Sequence, residues 1–241
     1  MGQGVELSSE SSLSKIDRGS SPPNRLTVVR LLLPVGWALA AIGYLGPWIG
    51  HPTAALTLSG VDLGEFVKFL PDVLDGTSQA VRQLFYLPPF AVVVSVALLI
   101  GLRRLGYPWL FRALALILAV PVSLQLLPPA WSPSGLMTKE FYPQTIALGI
   151  CWLLLAAFWF LRSLPTWLSG SLSAMISLTA AVIPAWQFFA IKPSIDRVYG
   201  TAPTVGWGLW VCMIGLVIMV AAGVLLVLRT RTRGMKSWSS A

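Results

Sequence analysis

Six stretches of apolar residues, each about 20 long, follow a polar start and set the plan of this chain. They lie near 28–48, 85–102, 109–128, 143–161, 168–190 and 205–228. About 20 apolar residues in a helix cross ~30 Å of hydrocarbon, so the pattern predicts an all-α, polytopic integral membrane helix bundle with six transmembrane helices. Pro34, Pro88, Pro89, Pro121 and Pro184 fall inside or at the edges of these spans. They predict kinks rather than breaks, because neighbouring groups in a bundle re-satisfy a freed carbonyl. Residues 1–24 have no apolar period and read as a disordered cytoplasmic tail. Residues 25–230 form the transmembrane domain, and 231–241 a cytoplasmic basic tail.

The one long connection is 49–84, between the first two spans. Leu63, Phe66, Val67 and Leu70 fall at i, i+3, i+4 and i+7, one face of a helix, with Asp62, Glu65 and Lys68 away from it. Ser59 stands where it caps the start, Pro71 where it stops the helix, and Asp75-Gly76 where the chain turns. Thr77 or Ser78 then caps a second short helix leading into span two. This predicts an amphipathic helix in the first outer loop, lying on the membrane surface or over the bundle.

Composition narrows the function class. Hydrophobic residues make up 56% of the chain and charged ones 11%, with a mean hydropathy of +0.76, whereas soluble domains carry about a quarter charged residues. A cytosolic enzyme, a secreted disulfide scaffold and a disordered chain are excluded. The net charge of +8 reads as a topology signal. With the N-terminus inside, twelve of the 17 Lys+Arg fall on the cytoplasmic side. Only Lys68, Arg82, Lys139, Lys192 and Arg197 fall outside, together with six of the nine acids. That bias places both termini in the cytoplasm and the protein in the plasma membrane, with the lipid bilayer and not nucleic acid as its charged surroundings.

Candidate chemistry is sparse. His51, Asp62, Glu65, Asp72 and Asp75 form a candidate interaction face in the outer loop, for an external cation or a basic partner; a plain solvated face accounts for the same residues. The spans have no ionisable residue in their central parts, and Gln125 and Gln187 sit near outer ends. Proton relays and voltage sensors mark themselves with such residues, so both are disfavoured, while a path for an apolar solute needs none. Gly208, Gly215 and Ala222, at seven-residue spacing, form a candidate helix-packing face, as do Ser173, Ser177 and Ala181. Cys151 and Cys212 lie in apolar runs at similar depth, either as inert packing or as a bridge between adjacent helices. No catalytic motif, cofactor fingerprint or metal-ligand spacing occurs, so the expectation is no enzyme, no cofactor and no metal. Gly46-Pro47-Trp48, Pro129-Ala130-Trp131 and Pro184-Ala185-Trp186 end the odd spans alike. This is either a relic of a three-fold hairpin repeat or the common preference of Trp and Pro for the interface.

In span count and in having both ends inside, the chain resembles the permease halves of ABC exporters. The connections near 103–108 and 162–167 are shorter than a coupling helix needs. The run Gly206-Trp207-Gly208-Leu209-Trp210 is similar to the closing span of many small bacterial membrane proteins. The sequence therefore supports a non-catalytic subunit or accessory protein of a membrane complex, working with partner subunits or as a homo-oligomer. The alternative is a permease-type subunit for an apolar or lipid-like solute, paired with a separate ATPase.

Overall fold

The computed structural model describes residues 25–51, 57–77, 80–127, 132 and 135–238, with side chains from Leu26 to Leu228. The predicted tail at 1–24, the Ser78 cap, the Pro129-Ala130-Trp131 corner and the side chains of 231–241 lie outside the described residues.

The chain is mostly helical. In order it forms α1 (Arg25–Leu45), β1 (Pro47–Gly50), β2 (Leu58–Ser59), α2 (Gly60–Phe66), α3 (Pro71–Leu74) and α4 (Leu87–Leu99). Then come α5 (Trp109–Leu124), α6 (Tyr142–Ala156), α7 (Phe158–Leu161), α8 (Thr166–Tyr199), β3 (Thr204–Val205) and α9 (Trp207–Trp238). Single 3-10 turns precede or join several of these. Four segments are long and apolar enough to cross a membrane: Leu26–Leu45, Arg82–Leu99, Thr166–Tyr199 and Trp207–Leu228. The third and fourth predicted spans are shorter as helices. α5 ends at Leu124, and α6 breaks at Ala157 (φ −82°, ψ 4°) before α7 resumes.

α1 and α9 form the tightest seam. Gly36 and Gly43 on α1 repeat at the same seven-residue spacing as Gly208 and Gly215 on α9, and the helices run antiparallel. A Cβ on Gly43 would lie 2.7 Å from the Cys212 Cα, and one on Gly215 would lie 2.8 Å from the Gly36 carbonyl oxygen. Ala222 continues the buried side of α9. In lipid, backbone approach of this kind replaces the hydrophobic effect as the main attraction between helices. α9 also packs on α8, where Gly170 and Gly223 face each other's carbonyls.

α4 is the central post, in contact with α1, α5, α6 and α8. At mid-height the Trp37 indole donates to Ser95 Oγ (3.0 Å), which lies 2.8 Å from Ser173 Oγ, tying α1, α4 and α8 by polar side chains inside an apolar bundle. Pro34 removes the amide that would bond the Arg30 carbonyl. Tyr107 supplies the substitute, its hydroxyl donating to that oxygen over 2.9 Å, and burial raises its pKa so that it keeps the proton.

Two features differ from the sequence expectation at the sheet end. α8 does not finish near 190: it runs through Pro184 and Pro193 to Tyr199, about 50 Å at 1.5 Å per residue. Pro184-Ala185-Trp186 is therefore mid-helix, and the resemblance to Gly46-Pro47-Trp48 ends with the sequence. The chain after α1 instead enters a small antiparallel sheet of order β2-β1-β3, with Ile49 opposite Val205. Strands of two residues carry no readable period. Gly206 closes this corner, its amide donating to the Trp48 carbonyl (2.8 Å). Trp48, for which interface preference was one of the two readings, is buried. Its indole donates to the Gly43 carbonyl (3.1 Å), and its ring meets Tyr44, Phe85 and Phe188 edge to face.

Candidate functional site

The described part of the 49–84 connection folds down onto the bundle rather than standing away from it. Ser59 and Asp62 form a reciprocal capping box at the start of α2. Leu63, Val67 and Leu70 are buried in the core, and Phe66 packs against it. The predicted single helix over 63–70 is two pieces, because α2 gives way to a 3-10 turn at Val67–Phe69. Leu70 is extended, and Pro71 then opens α3 as its first residue, where a missing amide costs nothing.

Beneath this loop lies a compact ionic cluster. Arg82 is only 7% exposed. One terminal nitrogen donates to Glu140 Oε1 (2.7 Å), and the other to the Gln144 side-chain oxygen. Its Nε sits 3.3 Å from Glu65 Oε1, an ion-pair distance, although that N–H has no acceptor. The guanidinium also stacks over Phe141, 4.5 Å from the ring centre. Lys68 bridges the same two acids, 2.9 Å from Glu65 and 3.1 Å from Glu140. The Tyr86 hydroxyl donates to Glu65 (2.9 Å). The cluster thus ties the loop (Glu65, Lys68), the entry to α4 (Arg82, Tyr86) and the start of α6 (Glu140, Gln144). A second clamp stands beside it: the Gln187 amide bonds both the N–H and the C=O of Val81 (3.2 and 2.8 Å).

The predicted acidic face is divided among separate partners. Glu65 belongs to the cluster, Asp62 to the capping box, and Asp72 pairs with Arg197 on the extension of α8. Asp75 is exposed at a turn, and His51 packs its ring on Tyr199, with centroids 5.7 Å apart. Among the described residues, no three of His, Cys, Asp and Glu come together as a metal site. Gly208, Gly215 and Ala222 lie inside the chain's own bundle. Cys151 and Cys212 are free thiols, the latter against Gly43 in the α1/α9 seam. Arg82, Glu140 and Gln144 were not singled out by sequence. The available signal was an arginine at the mouth of a span together with Glu140 and Gln144 one helical turn apart.

Charge sets the pH response of this cap. Hydrogen bonding to Lys68 holds the Glu140 carboxyl below its ordinary pKa, and hydrogen bonding to Glu65 holds Lys68 above its own. The Glu140 contribution is present above the ordinary carboxylate value of ~4.3 and is lost as pH falls through the lower, folded value. The Lys68 contribution is present below ~10.4 and is lost as pH rises past the higher, folded value. Amide hydrogen exchange of 58–74 should therefore be flat relative to its intrinsic rate from about pH 5 to 9 and accelerate in stronger acid. A smooth acceleration across neutrality would contradict this assignment.

A second feature opens to the side of the bundle. An apolar groove of about 440 Å³ runs between α1 and α5 over α4. Small residues Ala38, Ala41 and Ala115 make the space, and Val92 and Val96 form its floor. Among the described residues, Gln125 is the sole amide-bearing one on its lining, and its Oε1 is buried with no donor. Gln187 does not line this groove and bonds Val81 instead. No protein-family model, curated protein or solved structure matches the chain.

Proposed function

We propose that the chain is a six-span plasma-membrane protein with both termini in the cytoplasm, serving as a non-catalytic subunit or accessory protein of a membrane complex. The turn after α5 and the resumption of α6 in α7 support six crossings, since residues 109–127 and 142–161 then each approach the length a span needs. The observation that carries the functional reading is the asymmetry of the bundle. α1, α4, α8 and α9 pack closely, whereas α5 and α6 stand outboard, with only Ala119 and Ser123 of α5 buried. The groove between α1 and α5 has the small-residue lining that receives side chains of a neighbouring helix. The locked outer cap supports a scaffold rather than a gate. Gln125 favours the second reading, a permease subunit for an apolar solute that carries one hydrogen-bond donor.

The test is gentle purification at natural expression after photo-crosslinking from Ile42 and Leu118, the groove's two rims, with mass spectrometry of the adducts. A protein adduct in fixed stoichiometry, from both rims, is expected. A lipid-like adduct without protein partners would move the assignment to the permease reading. A clean, unadducted protein would remove both.

A further inference from the structure

At the end of the bundle opposite the sheet, two short turns meet around a pocket of about 370 Å³. One is the α4–α5 turn, carrying Arg103 and Arg104. The other joins α7 to α8 and carries Arg162 and Thr166. We propose that this pocket is a binding site for a phosphate-bearing anion, filled in the membrane by the headgroup of an anionic phospholipid.

Charge pairing differs between the two ends. At the sheet end four of the five described cations, Lys68, Arg82, Lys192 and Arg197 but not Lys139, lie within ion-pair distance of a carboxylate. At the opposite end the described residues include Arg30, Arg103, Arg104, Arg112 and Arg162 and not one Asp or Glu. Three of those five arginines converge on a single cavity, so its positive potential is not answered by the described part of the chain.

The pocket is also held in shape. Leu102 and Leu105 are buried on either side of the arginine pair, and Gly106 closes the turn at φ +62°, a conformation that favours glycine. Arg162 lies over the Trp159 ring, 3.3 Å from its centre, and its Cβ approaches Gly101 on the facing turn. Thr166 opens α8, a helix of 34 residues whose cap position, Pro165, offers no side-chain acceptor and whose first turn holds no acid. Leu168 and Ser169 donate to the Pro165 carbonyl, and the amides ahead of them, at Thr166 and Trp167, add a partial positive charge to the same cavity. Guanidinium groups with a hydroxyl and backbone amides match the several oxygens of a phosphate. Exposed Trp159 and Trp167 flank the site with the amphipathic rings found at headgroup depth. The proposal rests on membrane residence only for the lipid source, not on a partner in the α1/α5 groove.

The experiment uses the full chain, delipidated in a neutral detergent and titrated with phosphatidylglycerol, phosphatidylcholine or inorganic phosphate. Native mass spectrometry counts bound lipid, and a thermal melt reads stabilisation. Saturable uptake of one phosphatidylglycerol over phosphatidylcholine is expected. R103Q/R104Q and R162Q should weaken it about tenfold each, while R112Q, in the same belt but outside the pocket, leaves it within about twofold. Stabilisation by inorganic phosphate that the pocket variants abolish, without selective lipid uptake, would keep the anion site and overturn the lipid as its occupant. Equal loss in R112Q, or no preference for the anionic lipid together with no response to phosphate, would overturn the site. R103K/R104K controls for misfolding: it keeps the charge and should recover part of the affinity.

Discussion

Gly43→Ala is expected to destabilise the protein by more than about 2 kcal/mol, a large effect for one methyl group. In an ordinary helix the same change is favourable by roughly 0.5–1 kcal/mol, because alanine loses less backbone freedom than glycine. Here the added carbon would lie 2.7 Å from the Cys212 Cα and 2.8 Å from the Gly208 carbonyl oxygen, both of them backbone and unable to swing away. The α1/α9 seam must then separate along its length, and the dispersion contacts of Gly36, Ala40 and Gly215 weaken with it. Gly149→Ala on α6 is the matched control, since nothing lies within 4 Å of the new carbon. Thermal melts of both variants in one detergent decide the matter. Gly43→Ala should melt many degrees below the parent, and Gly149→Ala at or above it. Equal melting temperatures would show that the two backbones do not meet closely along the seam.

That seam also shows how much of the fold the sequence held. The stripe Gly208, Gly215 and Ala222 was visible from spacing alone, but the surface it meets was not. Spacing identifies a face, whereas its partner depends on topology, and Gly36 and Gly43 become its match only when α1 and α9 lie antiparallel. The four helices long and apolar enough to cross a membrane were legible because a soluble fold rarely keeps a helix of 18 or more residues so apolar on every side. The extent of α8 was not. Gln187, Lys192, Ser194, Asp196 and two prolines end the apolar run, while the helix continues with its polar end paired through Lys192–Asp196 and Arg197–Asp72. The burial of Trp48 was hidden for a related reason. Tryptophan favours the interface when its ring faces lipid, but here Tyr44, Phe85 and Phe188 surround it.

The candidate site was legible in part. Ser59 carries a local signal and forms the cap that the sequence suggests, whereas the reciprocal bond from Asp62 was not part of that expectation. The carboxylates of 49–84 were counted as one face because they are close in sequence. Yet Glu65 meets Arg82 and Asp72 meets Arg197, pairings that no local pattern reveals. The count of acids therefore overstated the negative surface of the loop.

Arg82→Leu should release the loop that caps the bundle at a cost of about 2–4 kcal/mol, the second large effect. Among the described residues, the guanidinium alone meets Glu65, Glu140, Gln144 and the Phe141 ring together. Removing it leaves the half-buried Glu65 and buried Gln144 facing a leucine. Lys68 compensates poorly, because it is already shared between the two acids. Glu140→Gln should cost below ~1 kcal/mol by contrast, since that side chain is 52% exposed and water replaces what it loses. Arg82→Lys should fall between the two, keeping the charge but losing the fork that reaches Glu140 and Gln144 at once. Limited proteolysis within 58–77, with hydrogen exchange of the same segment, reads the release directly. Equal sensitivity of Arg82→Leu and Glu140→Gln would mean that the charges are ornamental and apolar burial of Leu63, Val67 and Leu70 alone seats the loop. Partial recovery in Arg82→Leu/Glu65→Leu would identify the stranded carboxylate as the source of the cost. The loop would then be held by its apolar face and aligned by its charges, two roles that the variants separate.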